Sequence, residues 1–357
     1  KKNVFHLSAL CALFAFANVN AQEKTEQLNE VVVTATKFAI KKEHVGKIIY
    51  QIKSEDLVNL QGQTVVDVLD NIAGIQINGV NSAAGKNKST YIRGGRDRQV
   101  LVLIDGVPVS DPSGVTTTFD LRLLSLNQIA SIEVMNGAAS TLYGSGAATG
   151  VINIKLKQAE NKPFALNYQA SVGTNDSQNN LSSNLNEINQ NASINGSISK
   201  FNYLASINTS KTDGLSEAAD SNNLNTFEKD KFLATNAIFR LGYNFSKNLD
   251  IQLSGNYDKD VYDYDGGAFN DSDINNGENK QHRVGISSNY KYAKGSLKLV
   301  AAYNKIDRMF DSFNSWTNAT DHFDYTGKTY VVDVVNDYKF SEEFQLITGF
   351  NYQELKN

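Results

Sequence analysis

From Pro163 to the end of the chain, apolar and polar residues alternate with a period of two, the repeat of a strand whose two faces meet different media. In Leu249-Asp250-Ile251-Gln252-Leu253-Ser254-Gly255-Asn256-Tyr257 one face carries Leu, Ile, Leu, Gly and Tyr, and the other carries Asp, Gln, Ser and Asn. Ala237, Phe239, Leu241, Tyr243 and Phe245 line one face in the same way, opposite Ile238, Arg240 and Asn244. Similar segments near 165–173, 191–200, 202–212, 283–293, 296–307, 328–340 and 344–354 predict about nine strands in all. Tight turns near Lys200, 246–248, 293–295 and 341–342 alternate with polar loops of roughly 17–21 residues. Short turns on one rim and long loops on the other are the arrangement of an outer-membrane β-barrel, with lipid outside the wall and water within. A soluble sandwich would also alternate, but seldom needs long loops in strict alternation with tight turns.

Before Pro163 the texture differs. Ile48-Ile49-Tyr50-Gln51-Ile52 predicts a short strand, and Ser54 a helix cap with Glu55 and Asp56 in the first turn. After Thr64, the spacing of Val65, Val68, Leu69 and Ile72 predicts a second helix, ended by Gly74 before the strand Ile75-Gln76-Ile77. Tyr91 to Gly94, Gln99 to Gly106, Ile129 to Met135 and Gly150 to Lys155 add strands, so Lys47 to Lys157 reads as a mixed α/β globule of ordinary domain size. Ahead of it, Gln22 to about Ala39 is a polar, mobile tail with one β-branched run from Leu28 to Thr36. That run suits either an internal edge strand or a strand offered to another protein, and its place near the mature N-terminus favours the second. Lys1-Lys2, the apolar run Val4 to Phe16 and the small residues up to Ala21 form an export signal, with cleavage expected after Ala21.

Composition narrows the chemistry. With 25 Gly, 3 Pro and 1 Cys, the chain is neither collagen-like, proline-rich nor disulfide-stapled. Cys11 leaves with the signal, which removes thiol catalysis and thiolate metal sites. A net charge of −4 supplies no basic excess for a nucleic acid backbone. His6 leaves with the signal, and His44, His282 and His322 lie far apart, so no catalytic or metal-ligand spacing emerges and the chain is not expected to be an enzyme. Gly144 to Gly150 has one residue too many for a dinucleotide loop. Asp271 to Gly277 departs from an EF-hand, because its Gly comes one place late and His282 stands where the bidentate Glu belongs. The densest acidic group is Asp258, Asp260, Asp263, Asp265, Asp271 and Asp273, and carboxylates crowded into loops invite a hard cation such as calcium. The other reading is a solvated acidic loop. Tyr262, Tyr264, Phe269, Phe310, Phe313 and Trp316 suit either a cover for an apolar cargo or an aromatic girdle.

Five runs then point to one family. Glu30-Val31-Val32-Val33-Thr34-Ala35 resembles the TonB box of the TonB-dependent outer-membrane receptors. Ile92-Arg93-Gly94, Val102 to Gly106, Ile132 to Val134 with Tyr143 to Ala147, and Gly150 to Ile154 resemble that family's plug motifs, in order. Within the family the plug is most similar to the cobalamin receptors, as are Lys231-Phe232-Leu233, Asn244-Phe245 and Gly255 to Asp258 in the barrel. The resemblance implies an α+β plug domain inside a large antiparallel transmembrane β-barrel. The implied organisation is signal peptide 1–21, tail with TonB box 22–40, plug 41–158 and N-terminal barrel part 159–357. Plugged transporters of this kind have 22 strands, so about nine strands would make the chain an N-terminal fragment.

The resemblance further implies energised uptake of a scarce, bulky nutrient, a corrinoid first, with a ferric siderophore or haem as the alternative. An adhesin or passive porin is the reading from another class. The implied partners are TonB, a small-molecule nutrient and outer-membrane lipid, for a monomer exported through the periplasm of a Gram-negative bacterium. No cofactor is required, with calcium expected in the extracellular loops at Glu228, Asp230, Tyr264 and Asp265. Ser216 stands where an Asp would be expected, with Glu217 beside it. The plug loops Gly79 to Thr90 and Ser110 to Thr118 would face the ligand through Asn81, Ser82, Ser89, Ser110, Asp111, Ser113 and Thr116. Asn136-Gly137-Ala138 departs from the family's usual Arg-Gly-Pro, which puts a plug-to-barrel contact by that Arg in doubt.

Overall fold

The computed structural model describes residues 32–33, 37–38, 40–41, 45–60, 62–79, 82–174, 185–219, 227–341 and 343–357. The export signal, Glu30, Val31, Thr34, Ala35 and Asn81 lie outside the described residues. The plug is built on a five-stranded sheet in the order β3 (Ile49–Ile52), β8 (Ile129–Asn136), β9 (Gly150–Leu156), β6 (Val100–Ile104) and β7 (Val107–Val109). Of its neighbours only β6 and β9 run parallel. Every residue of β6 is apolar and buried, as expected of a strand covered on both faces. Around this sheet lie the tail pair β1 (Val32–Val33) and β2 (Ile40–Lys41), the pair β4 (Ile75–Ile77) and β5 (Thr90–Ile92), and three short helices, α1 (Ser54–Val58), α2 (Val65–Asp70) and α3 (Ser140–Tyr143).

The helix ends follow local chemistry. Thr64 caps α2, its hydroxyl accepting from the Asp67 backbone N–H while the Asp67 carboxylate accepts from the Thr64 N–H at 2.9 Å, a reciprocal cap. Val65, Val66, Val68 and Leu69 are buried, and Gly74, at φ +86°, turns the chain into β4. At α1 the cap stands one residue before the expected Ser54: Lys53 is the N-cap, and its backbone N–H donates to Asp56 at 2.9 Å. Asp56, rather than the serine hydroxyl, satisfies that end of the helix.

The nine expected strands all form, as β10 (Ala165–Gly173), β11 (Glu187–Ile198), β12 (Phe201–Thr212), β13 (Phe232–Asn244), β14 (Leu249–Asp263), β15 (Asn276–Tyr292), β16 (Gly295–Asn314), β17 (Ala319–Lys339) and β18 (Gln345–Lys356). They pair in sequence order, all antiparallel. The faces divide as the alternation requires. Phe239, Leu253, Ile286 and Phe350 are exposed on the outer face, whereas Asn236, Arg240, Asp258, Gln281 and Asn304 are buried inside. Leu204, Ile238 and Ile306 also face inward and join the apolar core of the plug. The outer ends run further than expected. β17 has 21 residues, about 70 Å at ~3.3 Å each, against an apolar band of about 25 Å. Residues read as loop therefore continue the ladder, and between β16 and β17 only residues 315–318 remain as a turn.

Candidate functional site

Two loops meet at the long-strand rim. One joins β12 to β13 and carries Glu217, Glu228 and Asp230; the other joins β14 to β15 and carries Asp265 and Asp271. One carboxylate oxygen from each of Glu228, Asp265 and Asp271 lies within 4.8 Å of the others. Two oxygens on one calcium at ~2.4 Å stand at most about 4.8 Å apart, so the three are within reach of one ion. Asp265 is held from behind: Oδ2 accepts from the Ala218 N–H at 2.5 Å and the Ser216 hydroxyl at 3.1 Å, and Oδ1 from the Ser272 N–H at 2.9 Å. Ser216, where an Asp was expected, thus orients an acid instead of replacing one. Asp230 accepts from the Glu217 N–H at 2.5 Å. Gly214, at φ +63°, packs so closely on the Asp230 carbonyl that no side chain fits between them.

Glu228 Oε1, Asp230 Oδ1 and Asp271 Oδ1 are buried without a hydrogen-bond partner. Burial, with a hydrogen bond and repulsion from Asp271, raises the Glu228 carboxyl to about 7. Burial and repulsion from Asp265 and Glu217 raise Asp230 to about 6. Acidic oxygens of this kind, all hard donors, fit a calcium ion. Tyr264 does not join them, because its hydroxyl donates to the Asp311 carbonyl at 2.7 Å. Asp258 and Asp260 also stand apart, buried in the lumen and bonded to Asn236 at 3.0 Å and Asn279 at 2.7 Å.

The plug loops divide by exposure. Ser82, Ser89, Ser110 and Ser113 are partly exposed and Thr116 fully so. Ser82 donates to the Gly79 carbonyl at 2.5 Å, and Thr116 pairs with Thr118 at 2.5 Å. Asp111 is 1% exposed and cannot face a ligand. It accepts from the Ser113 N–H at 2.9 Å and from Arg308 Nε on β16 at 2.7 Å. Arg308 also reaches Asp120 at 3.4 Å, and Asp120 receives Nε and Nη2 of Arg122 at 3.0 and 2.7 Å. Burial alone would raise the Asp120 carboxyl, but Arg122 and Arg308 hold it well below the usual carboxylate range. Arg122 lies over the Tyr262 ring, 4.6 Å from its centroid, which places the plug's charged centre beside the strand that leads to Asp265.

Plug-to-wall contacts exist without an Arg at position 136. Arg308 takes Asp111 and Asp120, Arg240 of β13 takes Asp105, and Asp333 of β17 takes Lys37 at 2.8 Å. Sequence reasoning missed all three, since the partners lie 135 to 296 positions apart; the only available signal was an Arg at an inward-facing strand position. Lys37, near the end of the tail, is thus tied to the wall by an ion pair. Val32 and Val33 pair antiparallel with Lys41 and Ile40, and among the described residues the other edge of β1 has no strand partner.

Residues 41–151 match the family model described as TonB-dependent Receptor Plug Domain. Over 172 residues the chain is 30% identical to the Vitamin B12 transporter BtuB of Vibrio cholerae serotype O1, covering 48% of this chain and 27% of that protein. BtuB of Vibrio vulnificus is 29% identical over 160 residues, covering 45% and 26%. Among solved structures, a variant of the ferric enterobactin receptor PfeA of Pseudomonas aeruginosa superimposes with TM-score 0.71 at 18% identity, over 91% of this chain and 51% of that one. The siderophore receptor PirA of Acinetobacter baumannii gives 0.67 at 20% identity, over 85% and 47%. The matches thus span about a quarter of the curated relatives and about half of the solved neighbours.

Proposed function

We propose that this chain, whose residues 41–151 match the TonB-dependent receptor plug and lie against nine strands of barrel, takes up a corrinoid across an outer membrane. The observation that carries the substrate reading is the acidic centre of Glu228, Asp265 and Asp271, set on loops at the outer rim of a chain 30% identical, where matched, to a vitamin B12 transporter. Calcium bound there would neutralise the carboxylates and order the two loops over the mouth of the barrel. Asp230 and Gly214 hold one loop in place, and Ser216 and Ser272 orient Asp265 from the other side. Ser82, Ser89, Ser110, Ser113 and Thr116 then offer hydroxyls to the polar parts of the ligand.

Energy enters at the other end. TonB would pair with the free edge of β1 by strand addition, and a pull on that strand would load the Lys37–Asp333 pair first. The receptor moves its ligand without covalent chemistry.

The test is equilibrium binding and uptake of cobalamin by cells carrying the full-length gene, with calcium present and then chelated. Tight, calcium-sensitive binding is expected, and deletion of Glu30 to Ala35 should leave binding intact while uptake stops. No binding in either condition would sink the corrinoid reading and turn the assay to ferric siderophores and haem; uptake that survives the deletion would reject energised transport.

A further inference from the structure

A cavity of about 290 Å³ lies between the plug and the barrel wall, toward the short-turn rim and away from the acidic loops. That is room for several water molecules or a small hydrated ion. Its lining is strongly cationic: Lys37 and Lys155 from the plug side, and Arg240, Arg283 and Lys298 from the wall. Lys37 is paired with Asp333, Lys155 with Glu133 at 2.5 Å, and Arg240 with Asp105. Asp258 is the further carboxylate felt by Arg283, but its second oxygen has no hydrogen-bond partner. Among the described residues, five cations thus face four carboxylates, and one positive charge is left over.

The hydrogen bonds show where that charge is unmet. Arg240 and Arg283 are 3% and 7% exposed. Among the described residues, Arg240 Nε and both terminal nitrogens of Arg283 are buried without a hydrogen-bond partner. A guanidinium remains charged at any physiological pH, and its planar fork matches the oxygens of a carboxylate or phosphate. Arg240 and Arg283 repel each other, and Asp105 and Asp258, the carboxylates that act on Arg283, offset that repulsion without bonding its terminal nitrogens. Lys298 makes no ion pair among the described residues, and its Nζ approaches Gly106 in the turn that carries Asp105.

We propose that this cavity is a binding site for a small oxyanion of the phosphate or carboxylate class, held by Arg240 and Arg283 with Lys298 across the cavity. The bound ion ties the plug turn at Asp105 to the wall, so occupancy strengthens the hold of the barrel on the plug. The site stands apart from the acidic loops and does not depend on which nutrient the receptor takes.

The probe is inorganic phosphate, titrated against the full-length protein in detergent at constant ionic strength with chloride as the balancing ion. Saturable binding is expected, with a melting temperature that rises with phosphate. Arg283→Gln should weaken phosphate binding about tenfold or more, the cost of one or more charge-assisted hydrogen bonds. Should that variant fail to assemble, Arg283→Lys keeps the charge, loses the fork, and should still bind phosphate more weakly than the parent. No saturable binding, or equal binding by the parent and an assembled variant, overturns the proposal. The source of the oxyanion follows from uptake by the same variant. Unchanged uptake marks a resident periplasmic ion, and slowed uptake with normal outer binding marks an oxyanion group on the passing solute.

Discussion

Glu228 shows how one side chain links charge to loop order. Burial and the neighbouring Asp271 push its carboxyl up to about 7, above the ordinary value of about 4.3, so the folded state holds the proton more tightly than the unfolded chain does. Its contribution to stability is therefore present below about pH 4 and lost as pH rises through about 7. Calcium binding runs the other way, because the ion needs the carboxylate. Calcium titrations at pH 5.5 and pH 8 should show markedly tighter binding at the higher pH, and Glu228→Gln should weaken binding and flatten that dependence. A variant whose calcium affinity matched the parent at both pH values would remove Glu228 from the site. Asp120 illustrates the opposite shift, since Arg122 and Arg308 stabilise its charged form despite burial.

Among elements, the loop from β12 to β13 depends on a single backbone conformation. Gly214 has φ +63° and sits against the Asp230 carbonyl, so a Cβ there meets both backbone strain and a clash. Gly214→Ala should displace Asp230 and lower calcium affinity while the barrel still assembles, as read by calcium titration beside heat-modified gel mobility. The tail is an element of another kind: β1 and β2 pair over only two residues, a ladder short enough to yield to a competing strand.

At the scale of the whole molecule, two neighbouring residues of β14 test which face meets lipid. Leu253 is 47% exposed on the outer face, whereas Ser254 lines the inner cavity. Leu253→Arg should destabilise membrane-inserted protein by roughly 2–4 kcal/mol if it sits near the bilayer midplane, measured by urea titration in lipid vesicles. Equal effects of Leu253→Arg and Leu253→Ala would reject a lipid-facing wall. The plug takes part in that wall from within, because Leu204, Ile238 and Ile306 belong to its apolar core and ion pairs of Lys37, Asp105, Asp111 and Asp120 reach the strands.

The strands, their order, the short-turn rim and the capped helix at Thr64 could all be read from the chain, because each depends on neighbours a few positions away. Period-two alternation and a Thr–Asp cap are local properties. So were the acidic loops in part: Glu228, Asp265 and Asp271 were each legible as acidic candidates, while their meeting at one centre followed only when two loops separated by more than thirty residues came together. Tyr264 and Asp111 left their expected roles for the same reason, each drawn to a partner on another strand. Only the tertiary structure decided which arginines anchor the plug and which remain unpaired beside the cavity. Charge acts through space, and its balance depends on burial and on partners that local sequence does not specify.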